Sequence, residues 1–192
     1  MSNNLNLFKY YKEDEFNLFV TEKINSILKN VDKKSNILFL GKIDLKNLKN
    51  KNLNIKSFCF SKDNYEKEID DFFSFSKKNK LNFDYIFDIS FMQYIKMSFL
   101  SKYMQILSNL SKYKTKYYLI SLSNDSNYCK INCPKRLWTI KDKKYVRYFK
   151  KNHIKRTVEK KFKIIKINLL YFSIDEDKYF EISGIMTNKR LS

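Results

Sequence analysis

The chain contains the stretch Asn36-Ile37-Leu38-Phe39-Leu40-Gly41, a short apolar run that ends at a glycine. An apolar run of this length, without polar residues at alternate positions, is typical of a strand buried on both faces. Such strands occur in parallel sheets that are covered by helices on both sides. We therefore predict a buried parallel strand here and an α/β fold around it.

Helical and strand-like patterns alternate outward from this stretch. Apolar residues at helical spacing predict helices, and short apolar or alternating runs predict strands. Strands are predicted at residues 37–40, 55–60, 83–89, 116–122, 162–172 and 179–186, and helices at 13–30, 61–69, 92–110 and 145–160. Residues 42–54 are low in complexity and are interpreted as a poorly specified helix or loop. The alternation implies βαβ crossovers and a mostly parallel sheet, with an antiparallel hairpin at the end of the chain.

Composition limits the class of protein. Hydrophobic residues make up 43% of the 192 residues and aromatic residues 17%, which excludes a disordered chain. This length suits a single domain covering residues 1–192. No apolar run approaches the roughly 20 residues of a membrane span, and the N-terminus lacks a signal-peptide core. Three cysteines without an even framework favour a reducing compartment, so a soluble cytoplasmic protein is expected.

The net charge of +19 has two interpretations. Most of the cations are lysine, which with the abundant Asn, Ile, Phe and Tyr shares A/T-rich codons, so genome composition alone can produce the profile. The other interpretation is a basic surface for RNA or an acidic protein partner. Only the dense basic stretch between Lys135 and Lys166 favours that second interpretation. Both remain open from composition.

The order of the elements resembles the class I S-adenosylmethionine-dependent methyltransferases. Residues 36–41 stand where that family has its first strand and glycine-rich loop, and residues 83–89, Phe-Asp-Tyr-Ile-Phe-Asp-Ile, are similar to its fourth strand. Residues 103–110 and 117–121 resemble the helix and fifth strand that follow. The resemblance implies a three-layer, doubly wound, mostly parallel sheet of seven strands with a C-terminal antiparallel hairpin.

The resemblance also divides the chain into segments. Residues 1–34 would form an N-terminal helical segment. Residues 124–160 would be a substrate-side insertion followed by a basic helix, because residues 133–138 and 145–149 resemble the insertion of some small-molecule methyltransferases.

Site residues follow from the same resemblance. S-adenosylmethionine would be the cofactor, and the methyl acceptor would be a small molecule or another acceptor that the sequence does not identify. The residues implied at the cofactor are Leu40, Gly41, Lys42, Cys59, Asp71, Phe72, Asp88 and Ser90, and those implied at the substrate are Tyr94, Trp138, Tyr145 and Arg147. Asp88 is also favoured by its position, since ligands of open α/β sheets bind at the carboxyl ends of the strands. No catalytic residue is assigned.

Two features depart from the family pattern. Three glycines are expected in the loop, but only Gly41 is present and Lys42 and Ile43 follow it. Cys59 or Phe60 stands where the family has an acid that accepts hydrogen bonds from the ribose, and a thiol is a poor acceptor. A second hypothesis is therefore a catalytically inactive protein of the same fold that serves as an RNA- or protein-binding scaffold subunit.

The soft metal ligands are few. Cys129 and Cys133 form a Cys-x₃-Cys pair, but tetrahedral zinc needs four ligands and the chain offers only Cys59 and His153 besides. No metal site is expected. His153 lies among lysines and is interpreted as a solvated residue of a helix face.

Overall fold

A computed structural model describes residues 3–50, 53–59, 65–79, 81–133, 135–141, 144–172 and 177–187. Strands and helices alternate along these residues. The elements are α1 (Asn3–Leu28), β1 (Asn36–Gly41), β2 (Asn54–Cys59), α2 (Tyr65–Lys78), β3 (Phe83–Ile89), α3 (Met97–Asn109), β4 (Ser111–Leu122), α4 (Asn127–Asn132), β5 (Trp138–Lys141), β6 (Lys144–Arg147), α5 (Lys151–Glu159), β7 (Lys163–Tyr171) and β8 (Lys178–Ile185). None of the helices in these described ranges is long and apolar enough to cross a membrane.

The main sheet has six strands in the order β2-β1-β3-β4-β8-β7. β2, β1, β3 and β4 are parallel neighbours, and β8 pairs antiparallel with both β4 and β7. The α/β fold with a mostly parallel sheet and a C-terminal antiparallel hairpin is thus confirmed. The expected seventh strand is not among the described residues, because a single helix, α2, connects β2 to β3. β2 is therefore the last strand on its side of the sheet.

Helices cover both faces of this sheet. α1 packs on one face, where Val20, Ile24 and Leu28 form a buried cluster with Ile37 and Phe39 of β1. α2, α3 and α5 pack on the other face, in a cluster that includes Leu38 and Leu40. The uninterrupted apolar run of β1 is needed because alternate side chains enter two different cores. Each fully buried aliphatic side chain contributes about 1.5–3 kcal/mol to folding.

Two predicted helices differ from those observed. Within residues 92–110 there is a 3₁₀ turn at Met92–Tyr94, and α3 begins only at Met97, because Ile95 and Lys96 are extended. Within residues 145–160 the first part is strand β6 rather than helix, since it pairs with β5 to form a separate two-stranded sheet. α5 starts after Lys150, whose backbone is also extended.

The connection from β1 to β2 contains little regular structure. Its only helical element among the described residues is a 3₁₀ turn at Leu45–Asn47, which begins at Asp44. The Asp44 carboxylate accepts hydrogen bonds from the backbone N–H of Lys46 and from the side chain of Asn47. This turn agrees with the prediction of a poorly specified segment and replaces a full crossover helix.

The turn at the end of β1 requires a glycine. Gly41 has a φ of +96°, in the left-handed region, and a Cβ built there would lie 2.0 Å from the carbonyl oxygen of Ile89. The contact is with backbone, so it cannot be relieved by a side-chain rotation. β1 and β3 can therefore approach at this point only without a side chain.

We expect Gly41→Ala to lower the free energy of unfolding by about 3 kcal/mol or more, because φ strain and the backbone clash add together. Urea denaturation followed by circular dichroism measures this loss. Gly184→Ala is the matched control, since its Cβ would meet its nearest neighbours at 3.3 Å without positive φ; a loss of about 1 kcal/mol or less is expected there. Equal losses in the two variants would contradict the requirement at Gly41.

Candidate functional site

The strand order changes direction at β1. From β1 the chain moves to β2 on one side, and it then returns past β1 to β3 on the other side. In open α/β sheets the crevice at the carboxyl ends of the strands beside such a switch point is the usual ligand site. Gly41 is in register with Cys59 of β2 and with Ile89 of β3, so these three residues mark the edge of the crevice.

Two backbone turns form the floor of the crevice. The N–H of Lys42 donates to the carbonyl of Ile89 at 2.7 Å, and the N–H of Ser90 donates to the carbonyl of Ile120 at 2.8 Å. Ser90 has a φ of 60°, which costs a residue with a side chain of order 1 kcal/mol. Strained backbone of this kind persists where neighbouring structure fixes it, and here three strands do so.

Asp88, the last acid before this turn, is fully buried and its carboxylate enters the core. One carboxylate oxygen accepts from the backbone N–H groups of Phe91 and Met92, at 3.1 and 3.0 Å. The other accepts from the hydroxyls of Tyr103 and Tyr117, at 2.7 and 2.9 Å. The carboxylate therefore fixes the turn after β3 to α3 and β4.

Burial raises the pKa of Asp88 to about 6, although all four hydrogen bonds act to lower it. Burial and the neighbouring carboxylate together raise the pKa of both tyrosines well above their usual range. The tyrosines thus remain donors, and the aspartate is the only member of the group that titrates near neutrality.

Seven of the eight residues implied at the cofactor, all except the buried Asp88, lie either at the carboxyl edge of the sheet or in α2. Gly41, Lys42, Cys59 and Ser90 lie together at the carboxyl edge. Leu40 is also at that edge but has no exposed surface. Asp71 and Phe72 lie in α2; Asp71 is exposed, whereas Phe72 is fully buried, with its ring edge-on to Phe58, Phe91 and Tyr103.

Carboxylates surround the thiol at the end of β2. Burial, opposed by a hydrogen bond with Ser57 and reinforced by the charges of Glu68 and Asp44, raises the pKa of the Cys59 thiol to about 11. Burial and the charge of Asp71 in turn raise the pKa of Glu68. The carboxylates that act on this thiol are therefore supplied by the loop after β1, with Asp44, and by α2, with Glu68. Sequence reasoning missed Asp44 and Glu68, because neither lies next to a predicted strand end.

The residues implied at the substrate are only partly brought together. Tyr94 and Tyr145 line one cavity of about 480 Å³ between α2, residues 94–102 and the β5–β6 hairpin. Trp138 stacks on Tyr145, with ring centroids 5.7 Å apart. Arg147 is buried instead: its guanidinium lies 5.4 Å from the ring centre of Phe149, and its Nε has no hydrogen-bond partner.

Gln93 is a further polar residue of this region that sequence reasoning did not single out. It is buried, and its side-chain oxygen accepts from the backbone N–H of Leu122 at 3.1 Å. It thus joins the segment after β3 to the end of β4. The feature of the sequence that could have identified Gln93 is a glutamine among apolar residues.

The histidine lies on α5, and the cysteine pair lies in α4 and at its C-terminal end. Burial and the positive charges of Arg147 and Lys160 lower the pKa of His153, which is half-buried on α5. The sulfurs of Cys129 and Cys133 are 3.4 Å apart and buried. In the described part of the chain, no three His, Cys, Asp or Glu side chains are grouped to hold a metal.

Comparison with known proteins defines the fold. No protein-family model and no curated protein matches the chain in sequence. Among solved structures, Burkholderia thailandensis 1,6-didemethyltoxoflavin-N1-methyltransferase, with bound 1,6-didemethyltoxoflavin and S-adenosylhomocysteine, is similar with a TM-score of 0.64 and 10% identity, over 94% of this chain and 86% of that one.

Two further structures show the same likeness. A SAM-dependent methyltransferase from Methanosarcina mazei has a TM-score of 0.58 and 10% identity, over 85% of this chain and 97% of that one. A S-adenosylmethionine-dependent methyltransferase from Clostridium acetobutylicum has a TM-score of 0.57 and 14% identity, over 97% and 100%. The chain therefore has the fold of the class I S-adenosylmethionine-dependent methyltransferases, with six strands in the main sheet of its described residues.

The raised pKa of Asp88 predicts how stability depends on pH. Its folded pKa of about 6 exceeds the usual 3.8, so this group stabilises the fold most at low pH, and its contribution is lost as the pH rises through 6. We expect Tyr103→Phe and Tyr117→Phe to raise the pKa of Asp88 further. Each substitution should then lower the free energy of unfolding by about 1–2 kcal/mol more at pH 8 than at pH 5.

Tyr118→Phe is the matched control for this measurement by urea denaturation. Tyr118 donates to Glu181 at 2.9 Å. Burial acts to raise the pKa of Glu181, but hydrogen bonds from Asn168, Lys23 and Tyr118 outweigh it and hold that pKa below its usual range. Glu181 stays ionised at both pH values, so the control should lose the same stability at each. An equal loss at pH 5 and pH 8 for Tyr103→Phe would contradict the role of Asp88.

Proposed function

We propose that this chain is an S-adenosylmethionine-dependent methyltransferase that acts on a small molecule. The observation that carries the proposal is the crevice at the switch point, where the glycine turn after β1 meets the strained turn after β3. The fold supports it, and one of the similar structures holds S-adenosylhomocysteine together with 1,6-didemethyltoxoflavin. Like that protein, this chain would take a small molecule as its acceptor.

The residues at the crevice fit such a cofactor. The positive φ of Gly41 turns the chain at the crevice edge, and the missing Cβ lets the ends of β1 and β3 lie together there, where a nucleoside would bind across the strand ends. Asp44 and Glu68 provide the carboxylates near Cys59 that would accept hydrogen bonds from ribose hydroxyls. Asp71 extends this acidic patch along α2, and a patch of that sign also favours a cofactor that carries a positive sulfonium.

The chemistry supplied by the bound cofactor would be a methyl group activated by a positive sulfur. The protein's own contribution is to position the two reactants and to exclude water. Transfer to an acceptor that is already nucleophilic needs no acid–base pair, which agrees with a crevice in which the buried Asp88 is fully hydrogen-bonded within the protein. Ser90 and the backbone around it would hold the cofactor side of the site rigid.

Isothermal titration calorimetry with S-adenosylhomocysteine tests the proposal. We expect saturable binding to the wild-type chain. Glu68→Gln should weaken it about tenfold, since a hydrogen bond to a charged group contributes about 1.5–3 kcal/mol. Glu22→Gln, an equivalent change on the exposed surface of α1, should leave the affinity unchanged.

Absence of binding at millimolar S-adenosylhomocysteine would overturn the proposal. It would leave the scaffold hypothesis, in which exposed lysines between Lys135 and Lys166 hold RNA or an acidic protein partner. Binding of RNA would then weaken steeply as salt is raised.

A further inference from the structure

A cavity beside the crevice has the composition of a ligand site. Its volume is about 480 Å³, within the range of small-molecule pockets, and it lies between α2, residues 94–102 and the β5–β6 hairpin. One stripe of α2 lines it, from Glu66 to Lys77. Eleven residues of helix span about 16 Å, so the cavity is elongated.

Aromatic rings form its walls. Phe73 of α2, Phe99 of α3, Tyr94 and Tyr145 all line it. Phe99 is 49% exposed although it lies on a helix whose other aromatic residue, Tyr103, is completely buried. Flat rings on several sides favour a planar aromatic ligand, because offset or edge-on ring contacts add about 0.5–1.5 kcal/mol to simple burial.

The charges along the cavity are ordered. Glu66 and Asp70 lie in the first turns of α2, and Lys77 lies in its last turn. Lys102 of α3 joins the lysine end, with its ammonium 5.9 Å from the ring centre of Phe73. No carboxylate among the lining residues accompanies these two lysines at that end. The fifth charged residue, Lys96, lies at the start of α3, beside Tyr94.

We propose that this cavity binds a planar aromatic carboxylate, with its ring between Phe73, Phe99 and Tyr145 and its carboxylate at Lys77 and Lys102. The net charge of the protein draws such an anion toward the surface. The opposite end of the ligand would then lie near Tyr94, five residues after the carboxyl end of β3. The ligand would be the methyl acceptor, an assignment that rests on the function proposed above.

The probe is 2-naphthoate, which has two fused planar rings and one carboxylate. We expect saturable binding to the wild-type chain by isothermal titration calorimetry. Cyclohexanecarboxylate has the charge without the flat ring, and 2-naphthylmethylamine has the ring with the opposite charge. Both should bind at least tenfold more weakly. Binding of the amine as tight as that of 2-naphthoate would overturn the assignment of an anionic ligand.

Substitutions locate the probe. Lys77→Gln and Lys102→Gln should each weaken 2-naphthoate about threefold to fivefold, the effect of an exposed ion pair. Lys78→Gln is the matched control, since Lys78 is in the same last turn of α2 but does not line the cavity. All three lysines are exposed, so the variants fold. Equal weakening by the control would show binding to general positive charge and overturn the proposal.

Trp138 provides a second readout. It is the only tryptophan of the chain and stacks on Tyr145, which lines the cavity. Its single indole N–H resonance should therefore shift on titration with 2-naphthoate, and an unmoved resonance would exclude this cavity as the site.

Titration with S-adenosylhomocysteine separates the two proposals. If 2-naphthoate fails to bind while S-adenosylhomocysteine binds, the acceptor class is wrong and the proposed function stands. If only 2-naphthoate binds, the cavity is a ligand site and its assignment to a methyl acceptor is overturned.

Discussion

The close approach of β1 and β3 at Gly41 is the constraint on which the rest of the structure depends. The left-handed turn brings the Lys42 N–H to the Ile89 carbonyl and ends β1 where β3 also ends. Both strands are central, so every other strand takes its position from this pair. The same contact aligns the strand ends that form the crevice. The fold and the candidate site therefore both depend on the contact between β1 and β3 at Gly41.

The buried carboxylate of Asp88 links the contact between β1 and β3 to the hydrophobic core beneath α2, α3 and α5. Asp88 joins the turn after β3 to a helix and to β4 through four hydrogen bonds. Desolvation makes this arrangement costly at neutral pH, and the tyrosine hydroxyls reduce that cost. The turn at Ser90 is held in its strained conformation by the same bonds. The buried carboxylate therefore lowers the free energy of unfolding near neutral pH. The same carboxylate fixes the backbone beneath the crevice.

The sequence predicted the strands best where burial alone decides the pattern. Residues 37–40 are apolar on both faces, residues 83–89 are apolar except for Asp84 and Asp88, and both segments are central strands. Residues 145–147 were mistaken for helix because their strand partner, β5, lies in an insertion whose pairing no local pattern reveals. Asp84, near the start of β3, accepts a hydrogen bond from the backbone N–H of Asn36 and pairs with Lys112. Burial of the Asp88 carboxylate could not be inferred, because its tyrosine partners are 15 and 29 residues away.

The edge strands of the six-stranded sheet carry lysines, and this has a consequence for how copies of the protein meet. Among the described strands, β2 is outermost on one side of the sheet and β7 on the other, and an edge strand has main-chain donors and acceptors with which another chain could pair. Lys56 on β2 is exposed, and its ammonium lies 5.0 Å from the ring centre of Phe58; Lys163 and Lys166 are exposed on β7. Like charge on every copy repels neighbours before their strands can join. A composition set by codon usage would then also keep a small, open-edged protein from polymerising.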